Sequence, residues 1–330
     1  MEIKGYHGYG HMHNLVVFGH VFKRKHRARR VYSNNVLSNI LHLLRLFMVV
    51  PIPKIDVRMV FQDQLISGRS EVDGFFKMEW KATHEVAAGW HPVKLECLEN
   101  GKPVSNTEGL IYVPHSTQYG FISDIDDTIM ISHSATLRKR LTELFVKNPR
   151  TRSVFEDVGK HYALLALAHT SPLTPNPFFY VSSSEWNLYD YLHDFFDYNN
   201  LPKGTFLLNQ VKRWYQFFKT GKTKHEGKLI RIHRILSAFP KQQFVLFGDN
   251  TQQDPAIYAK LVKHFPGRIH AVYIRNIVPG HEERARISLK EIEDAGIHTF
   301  LFQHSREAIE HSKRIGLIEA EQKIATQIPA

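Results

Sequence analysis

Two clusters of acids, each closing an apolar run, are where this chain is equipped for chemistry. In the stretch 120–132, Asp124, Asp126 and Asp127 put three carboxylates into four positions, directly after Phe121, Ile122 and Ser123. Those three residues read as the end of a buried strand. Like charges this close repel, and each loses hydration on burial. Acids clustered at a strand end therefore ask for a cation among them. A second apolar run, Phe244 to Phe247, closes on Gly248, Asp249 and, five residues after Asp249, Asp254. Asp249 and Asp254 can reach the same cation, directly or through water. Asp254 also suits the N-cap of a helix with Pro255 at its first position. Mg²⁺ fits such hard oxygen donors. A calcium loop starting at Asp124 would want an acid or Asn at 128 and Glu at 135, where the chain has Thr128 and Ala135.

The elements that must position these acids lie downstream of about residue 119. There, strand patterns at 120–124, 177–182, 204–208, 243–248, 269–274 and 298–302 alternate with helical patterns at 135–147, 154–168, 186–197, 225–238, 254–264 and 304–314. Enough chain separates each pair of strands for a crossover, so the alternation predicts a parallel α/β sheet flanked by helices. Both acid clusters then fall at the carboxyl edge of the sheet, where ligands bind. Residues 1–118 have a different texture and read as a smaller, β-rich, sandwich-like N-terminal domain. Asn14–Phe22 is a strand, and Val57, Met59 and Phe61 share one face of another. Turns fall at Asp73-Gly74 and Asn100-Gly101. The domain boundaries expected are 1–118 and 119–330.

Composition narrows the partners. The chain has 330 residues and a net charge of +11, which favours an anionic partner by steering. Lys23 to Arg30 holds six cations in eight positions. It precedes an apolar helical pattern at 36–49: Val36, Leu37, Ile40, Leu41, Leu44, Phe47 and Met48. Such a pair marks either a solvated loop beside a core helix or an element at a membrane surface. Cations interleave with aromatics at 211–224 (Lys212, Arg213, Trp214, Tyr215, Phe217, Phe218), and 138–152 is basic. This texture suits a lipid interface, and also single-stranded nucleic acid. Cys97 is the only cysteine, no secretory signal opens the chain, and no apolar run approaches the ~18 residues of a membrane span. A cytoplasmic protein is expected, peripheral at the inner membrane face if it meets lipid.

The order Asp124-x-Asp126-x-Thr128 after an apolar strand matches motif I of the haloacid dehalogenase (HAD) superfamily. An ionised Asp can attack phosphorus and form an aspartyl-phosphate. A second Asp two residues on can protonate the leaving oxygen and then activate water. A hydroxyl to hold a phosphate oxygen follows a second strand at Ser182, which with Glu185 also forms a capping-box pattern. Lys228 opens a helical run one helix before the Asp249 strand and takes the motif III place by position.

Whole phrases also resemble the phosphatidate phosphatase family typified by the yeast actin patch protein. They are 121–129, 176–184 with Trp186 to Asp190, Gly248-Asp249 through Asp254-Pro255, and Ile274 to Ile277. Two positions depart from the family pattern: Glu185, where Pro is frequent, and Gly227, where His is frequent. The resemblance implies a Mg²⁺-dependent phosphatase that converts phosphatidate to diacylglycerol and phosphate. Asp124, Asp126, Ser182 and Lys228 are then catalytic, and Thr128, Ser183 and Arg275 lie at the substrate. Asp124, the Asp126 carbonyl, Asp249 and Asp254 surround the metal, and Asp127 has no assigned part. Two other functions fit less of the pattern: a phosphatase for a soluble or polynucleotide phosphomonoester, and a non-catalytic membrane scaffold.

Overall fold

The computed structural model describes residues 1–23, 35–115, 118–132, 147–211 and 224–319, with the backbone alone at 224–226. The predicted helix at 135–147, nearly all of the aromatic–basic stretch 211–224, most of the basic run 23–30 and Arg138 to Arg140 lie outside the described residues.

The acids sit on a six-stranded, fully parallel sheet. Its strands are β9 (Gly120–Ser123), β10 (Phe178–Glu185), β11 (Gly204–Asn209), β12 (Phe244–Asp249), β13 (Ile269–Arg275) and β14 (His298–Phe302), in the order β11-β10-β9-β12-β13-β14. The chain builds outward from β9 in both directions, so the order reverses at β9 and opens a crevice beyond its carboxyl end. β9 and β12 are buried at every position, as strands covered on both faces must be. The expected α/β class is therefore present, and five of the six helical patterns fall on described helices or their ends. One helix has no counterpart in the sequence reading. Glu282–Glu293 carries the crossover from β13 to β14 and buries only Ala285, Ser288, Leu289 and Ile292.

Upstream, eight strands form one mainly antiparallel sheet: β1 (Glu2–Gly5), β2 (Gly8–His11), β3 (Asn14–Phe22), β4 (Asp56–Phe61), β5 (Gln64–Arg69), β6 (Phe75–Trp80), β7 (Gly89–Glu99) and β8 (Lys102–Val113). The sheet curls round its own core of Leu15, Val17, Val57, Met59, Phe76, Leu95 and their neighbours. Its ends meet where Gly68 of β5 faces Met78 of β6.

β3 is buried along nearly its whole length because its two faces serve two cores. Leu15, Val17 and Val21 point into the sheet's own core. Val16 and Phe18 point the other way, into a cluster that continues through β9, β10 and β12. Tyr6 stacks on Trp186 at 4.2 Å between ring centroids, and Thr205 Oγ1 donates to the Gly8 carbonyl at 3.1 Å. Aromatic surface therefore joins the two sheets.

Helix α1 (Val36–Phe47) lies against this junction, its N-cap Asn35 accepting from Ser38 N–H. Its buried positions are Asn39, Leu43, Leu46 and Phe47. Of the apolar positions read from the sequence, only Phe47 is buried, while Val36, Leu37, Leu41, Leu44 and Met48 face out.

The junction also holds neutral histidines. His20 Nδ1 pairs with the Tyr6 hydroxyl at 3.0 Å, and burial, aided by Lys4, lowers its pKa from 6.5 to about 3. Burial likewise takes His7 to about 4, against the opposing bond to the Gly204 carbonyl. Each histidine binds a proton in the unfolded chain before it does so in the fold, so each removes stability as pH falls from 6.5 toward those values. We expect His20→Phe to reduce the acid-side slope of unfolding free energy by about one proton, ~1.4 kcal/mol per pH unit, in denaturant titrations between pH 6 and pH 4.

Candidate active site

Asp124 follows β9 directly, its N–H held by the Phe247 carbonyl of β12 at 2.9 Å. Asp249 closes β12, and Asp254 starts the helix Asp254–His264 (α5, after Val158–Ala166, Tyr189–Tyr198 and Lys224–Ala238 as α2 to α4). Carboxylate oxygens of Asp124, Asp249 and Asp254 all lie within 4.8 Å of one another, and all three side chains are buried. The close approach of Asp254 to β12 depends on Gly248. A Cβ there would stand 2.6 Å from Asp254 Oδ2.

Lys228, on α4, is the only described cation in direct contact with these acids. Its Nζ lies 2.7 Å from Asp124 Oδ1 and 2.5 Å from Asp254 Oδ1, and the side chain is buried. Burial pulls the ammonium pKa down, but the attraction of Asp124, Asp254 and Asp249 outweighs it, and the net shift is upward. One ammonium does not balance three carboxylates. Burial, against the pull of Lys228, pushes Asp124 well above the usual carboxylate range, with Asp254, Asp249 and Asp126 adding repulsion. Burial and Asp254 likewise raise Asp249 to about 7. Asp124 Oδ2 and Asp249 Oδ2 are buried without a hydrogen-bond partner. Buried carboxylate oxygens with no donor are what a divalent cation would satisfy, so the donor set fits Mg²⁺. Asp126 is not part of this carboxylate group and would join it only through its backbone carbonyl.

The Asp126 side chain faces a ring of hydroxyls. Oδ1 accepts from Ser132 Oγ at 2.7 Å, and Oδ2 accepts from Ser182 Oγ and Ser184 Oγ, both at 3.2 Å. Arg152 Nη2 in turn donates to Ser132 Oγ at 3.0 Å. Ser182, expected to hold phosphate, is thus engaged with Asp126, and its Oγ also accepts from Ser184 N–H at 2.9 Å. Ser183 is half-buried between them.

Asp127 acquires a clear part. It sits at φ 60°, in the left-handed region that Asp tolerates better than most residues, and its Oδ1 accepts from Ser132 N–H at 2.8 Å. Its N–H donates to the Met130 carbonyl. Asp127 therefore closes the tight turn that brings Ser132 back onto Asp126. Thr128 is buried on the same turn, and its Oγ1 has no partner.

Arg275, expected at the substrate, makes its described contacts with the protein. Its Nε donates to the Thr128 carbonyl, Nη1 to the Gln303 carbonyl and Nη2 to Ser305 Oγ, at 3.1, 2.9 and 2.9 Å. The guanidinium is clamped between Phe155 and Phe302, 4.2 and 4.7 Å from their ring centroids. Each guanidinium nitrogen has a protein partner, so Arg275 braces the Asp127 turn against the end of β14. Sequence reasoning also missed Ser132, Ser184, Thr251 and Asn250. Thr251 donates to Asp249 Oδ1 through both its N–H and its hydroxyl. Asn250 accepts from Ile277 and Val278 N–H and donates to Asn276, tying the β12 loop to the β13 loop. A run of hydroxyls, Ser182 to Ser184, and the pair Asn250 and Asn276 were the available signals.

We expect Arg275→Met to lower equilibrium stability by at least ~2 kcal/mol in denaturant titration, because it orphans the buried Thr128 carbonyl and the buried Ser305 hydroxyl. A neutral result would show that the turn stands without its brace.

Known proteins locate this arrangement. Residues 119–276 match the family described as the phosphatidate phosphatase APP1 catalytic domain. The chain is 32% identical over 206 residues to phosphatidate phosphatase APP1 of Saccharomyces cerevisiae, covering 58% of this chain and 32% of that protein. It is 26% identical over 159 residues to an uncharacterized protein of Schizosaccharomyces pombe, covering 48% of this chain and 25% of that one. The alignments thus span a third or less of these relatives' lengths. A likeness to a carbohydrate acetylesterase from Xanthomonas citri has 10% identity and a TM-score of 0.30, over 81% of this chain and 66% of that one, too low to carry any argument. The family match falls on the strands and turns that assemble the buried acids, and residues 119–276 of this chain are similar to the APP1 catalytic domain.

Proposed function

We propose that the protein is a Mg²⁺-dependent phosphatase that hydrolyses phosphatidate to diacylglycerol and phosphate at an anionic membrane surface on the cytoplasmic side. The observation that carries the reaction type is the Lys228 bridge. An ammonium buried between Asp124 and Asp254, beside an acid cluster short of positive charge, is arranged to receive a phosphoryl group and a cation together. The order of these residues along the chain is that of the HAD superfamily. The lipid substrate is supported by the name of the yeast relative and by the excess of positive charge.

Asp124 attacks phosphorus, and the phosphorus–oxygen bond to the glycerol breaks as the aspartyl-phosphate forms. Asp126 gives its proton to the departing oxygen. It then takes one from the water that releases phosphate. The hydroxyls of Ser132 and Ser184 hold the Asp126 carboxyl in one orientation through both steps, and that of Ser182, which reaches the same carboxyl, can turn to the substrate. Lys228 keeps Asp124 in place and offsets charge on the phosphoryl oxygens, and Ser182 stands at the same edge to receive one of them. Asp124, Asp249, Asp254 and the Asp126 carbonyl would hold Mg²⁺, which supplies positive charge against the repulsion between nucleophile and phosphate. Thr128, with its free buried hydroxyl, is a further group available to the phosphate.

Asp124→Asn should bring phosphatidate hydrolysis in mixed micelles to background, and chelation of the wild type should do the same, reversed by added Mg²⁺. Full metal-dependent turnover by Asp124→Asn would remove the nucleophile assignment. A panel that sets phosphatidate against sugar phosphates and a 3′-phosphorylated oligonucleotide tests the substrate. The cation has a test independent of turnover. Mg²⁺ should raise the thermal midpoint of the wild type, and Asp249→Asn should abolish most of that rise. An equal rise in both proteins would place the ion elsewhere.

A further inference from the structure

α1 has apolar side chains on both sides, which neither a surface helix nor a fully buried one requires. Leu43, Leu46 and Phe47 enter the shared core. Leu37, Leu41, Leu44 and Met48, spaced as one stripe along the helix, are 65%, 49%, 37% and 66% exposed. Val36 and Val50 extend the stripe at its ends. Six of the fourteen large hydrophobics exposed among the described residues fall in this one segment, which is a patch and not the usual scatter.

Along the chain, the charge that flanks the patch has a single sign. Between Lys23 and Ile55 the sequence holds eight Lys and Arg and no Asp or Glu. Arg45 is exposed in the last turn of α1, and Lys54 is exposed just beyond it. Lys23 is exposed too, and its N–H donates to the Val50 carbonyl at 2.8 Å, so it stands at the C-terminal end of the helix. Lys23 thus stands at one end of α1 and Asn35 caps the other. Lys23, Arg45 and Lys54 are the exposed cations the described structure places beside the stripe.

We propose that the exposed stripe of α1 is the surface on which this protein rests on an anionic lipid bilayer. Leu37, Leu41, Leu44 and Met48 enter the acyl boundary while the flanking cations meet headgroup phosphates. The inference rests on the reading of the substrate as a lipid and adds the element that meets the membrane. At twelve residues α1 is ~18 Å long, so it lies in the interface and does not cross. An apolar stripe flanked along the chain by eight cations and no acid, from Lys23 to Ile55, suits a continuous anionic surface. The contact also reaches the site. Asn187 Nδ2 donates to the Leu46 carbonyl at 2.9 Å, and Asn187 lies in the turn that follows β10 and its serines.

The test uses the full chain in flotation with phosphatidylcholine vesicles, with and without phosphatidylglycerol. The wild type should bind the anionic vesicles, with affinity that falls as salt rises. The double variant Leu41→Ser, Met48→Ser should bind about tenfold or more weakly with an unchanged thermal midpoint, since both side chains already face solvent. An NBD label on Leu41→Cys should shift to the blue on vesicle addition, and one on exposed Leu173→Cys should not; Cys97 is buried and spared by the reagent. Unchanged binding by the double variant, or no shift at position 41, would overturn the proposal. So would a wild type that sediments as a dimer and a double variant that sediments as a monomer, which would assign the face to a second copy. Phosphatidate turnover is scored separately on the wild type. Binding that depends on the stripe without turnover leaves this inference standing and sinks the activity; turnover with stripe-independent binding does the reverse.

Discussion

A lysine ammonium between two carboxylates is the contact on which the rest of this structure depends. Each of the three groups is buried, and none is tolerable there alone. Asp124 is fixed by β9, Asp254 by the start of α5, and Lys228 by α4, so the bridge joins three elements from distant parts of the chain. The arrangement remains short of positive charge. Burial and mutual repulsion hold Asp124 and Asp249 above their ordinary range, and two carboxylate oxygens lack any donor. Such a site gains from any further positive charge that reaches the unpartnered carboxylate oxygens.

The surroundings of Asp126 follow a different logic. Among its described partners are the hydroxyls of Ser132, Ser182 and Ser184, which can donate or accept as its protonation state changes. The Asp127 turn delivers Ser132 to that ring, and Arg275 holds the turn from behind. Two neighbouring acids are thus handled in opposite ways. One is pinned by a cation, and the other is cushioned by groups that rotate.

Much of this was legible because strands that end in acids leave a mark that few other structures leave. β9 and β12 were readable from apolar runs closed by carboxylates, and the alternation of patterns gave the parallel sheet. What was not legible depends on tertiary contact. Glu282–Glu293 buries a narrow stripe that includes Ala285 and Ser288, too weakly apolar to stand out among its charges. Ser132 and Ser184 matter only because a left-handed turn and a strand end bring them to the same carboxylate. The bracing part of Arg275 was hidden because its clamp, Phe155 and Phe302, comes from other elements. The facing of α1 was hidden for the opposite reason: a helix that is apolar on two sides has no single periodic stripe to read.

β3 carries the last consequence. Since its odd-numbered residues Leu15, Val17 and Val21 serve one core and its even-numbered Val16 and Phe18 serve the other, the parity of a position decides which half of the molecule a change there disturbs. A slip of one residue in the pairing of β3 would exchange both sets at once. Each core thus proofreads the alignment of the other, and a strand far from the acids becomes a device that registers the front of the chain against the sheet behind it.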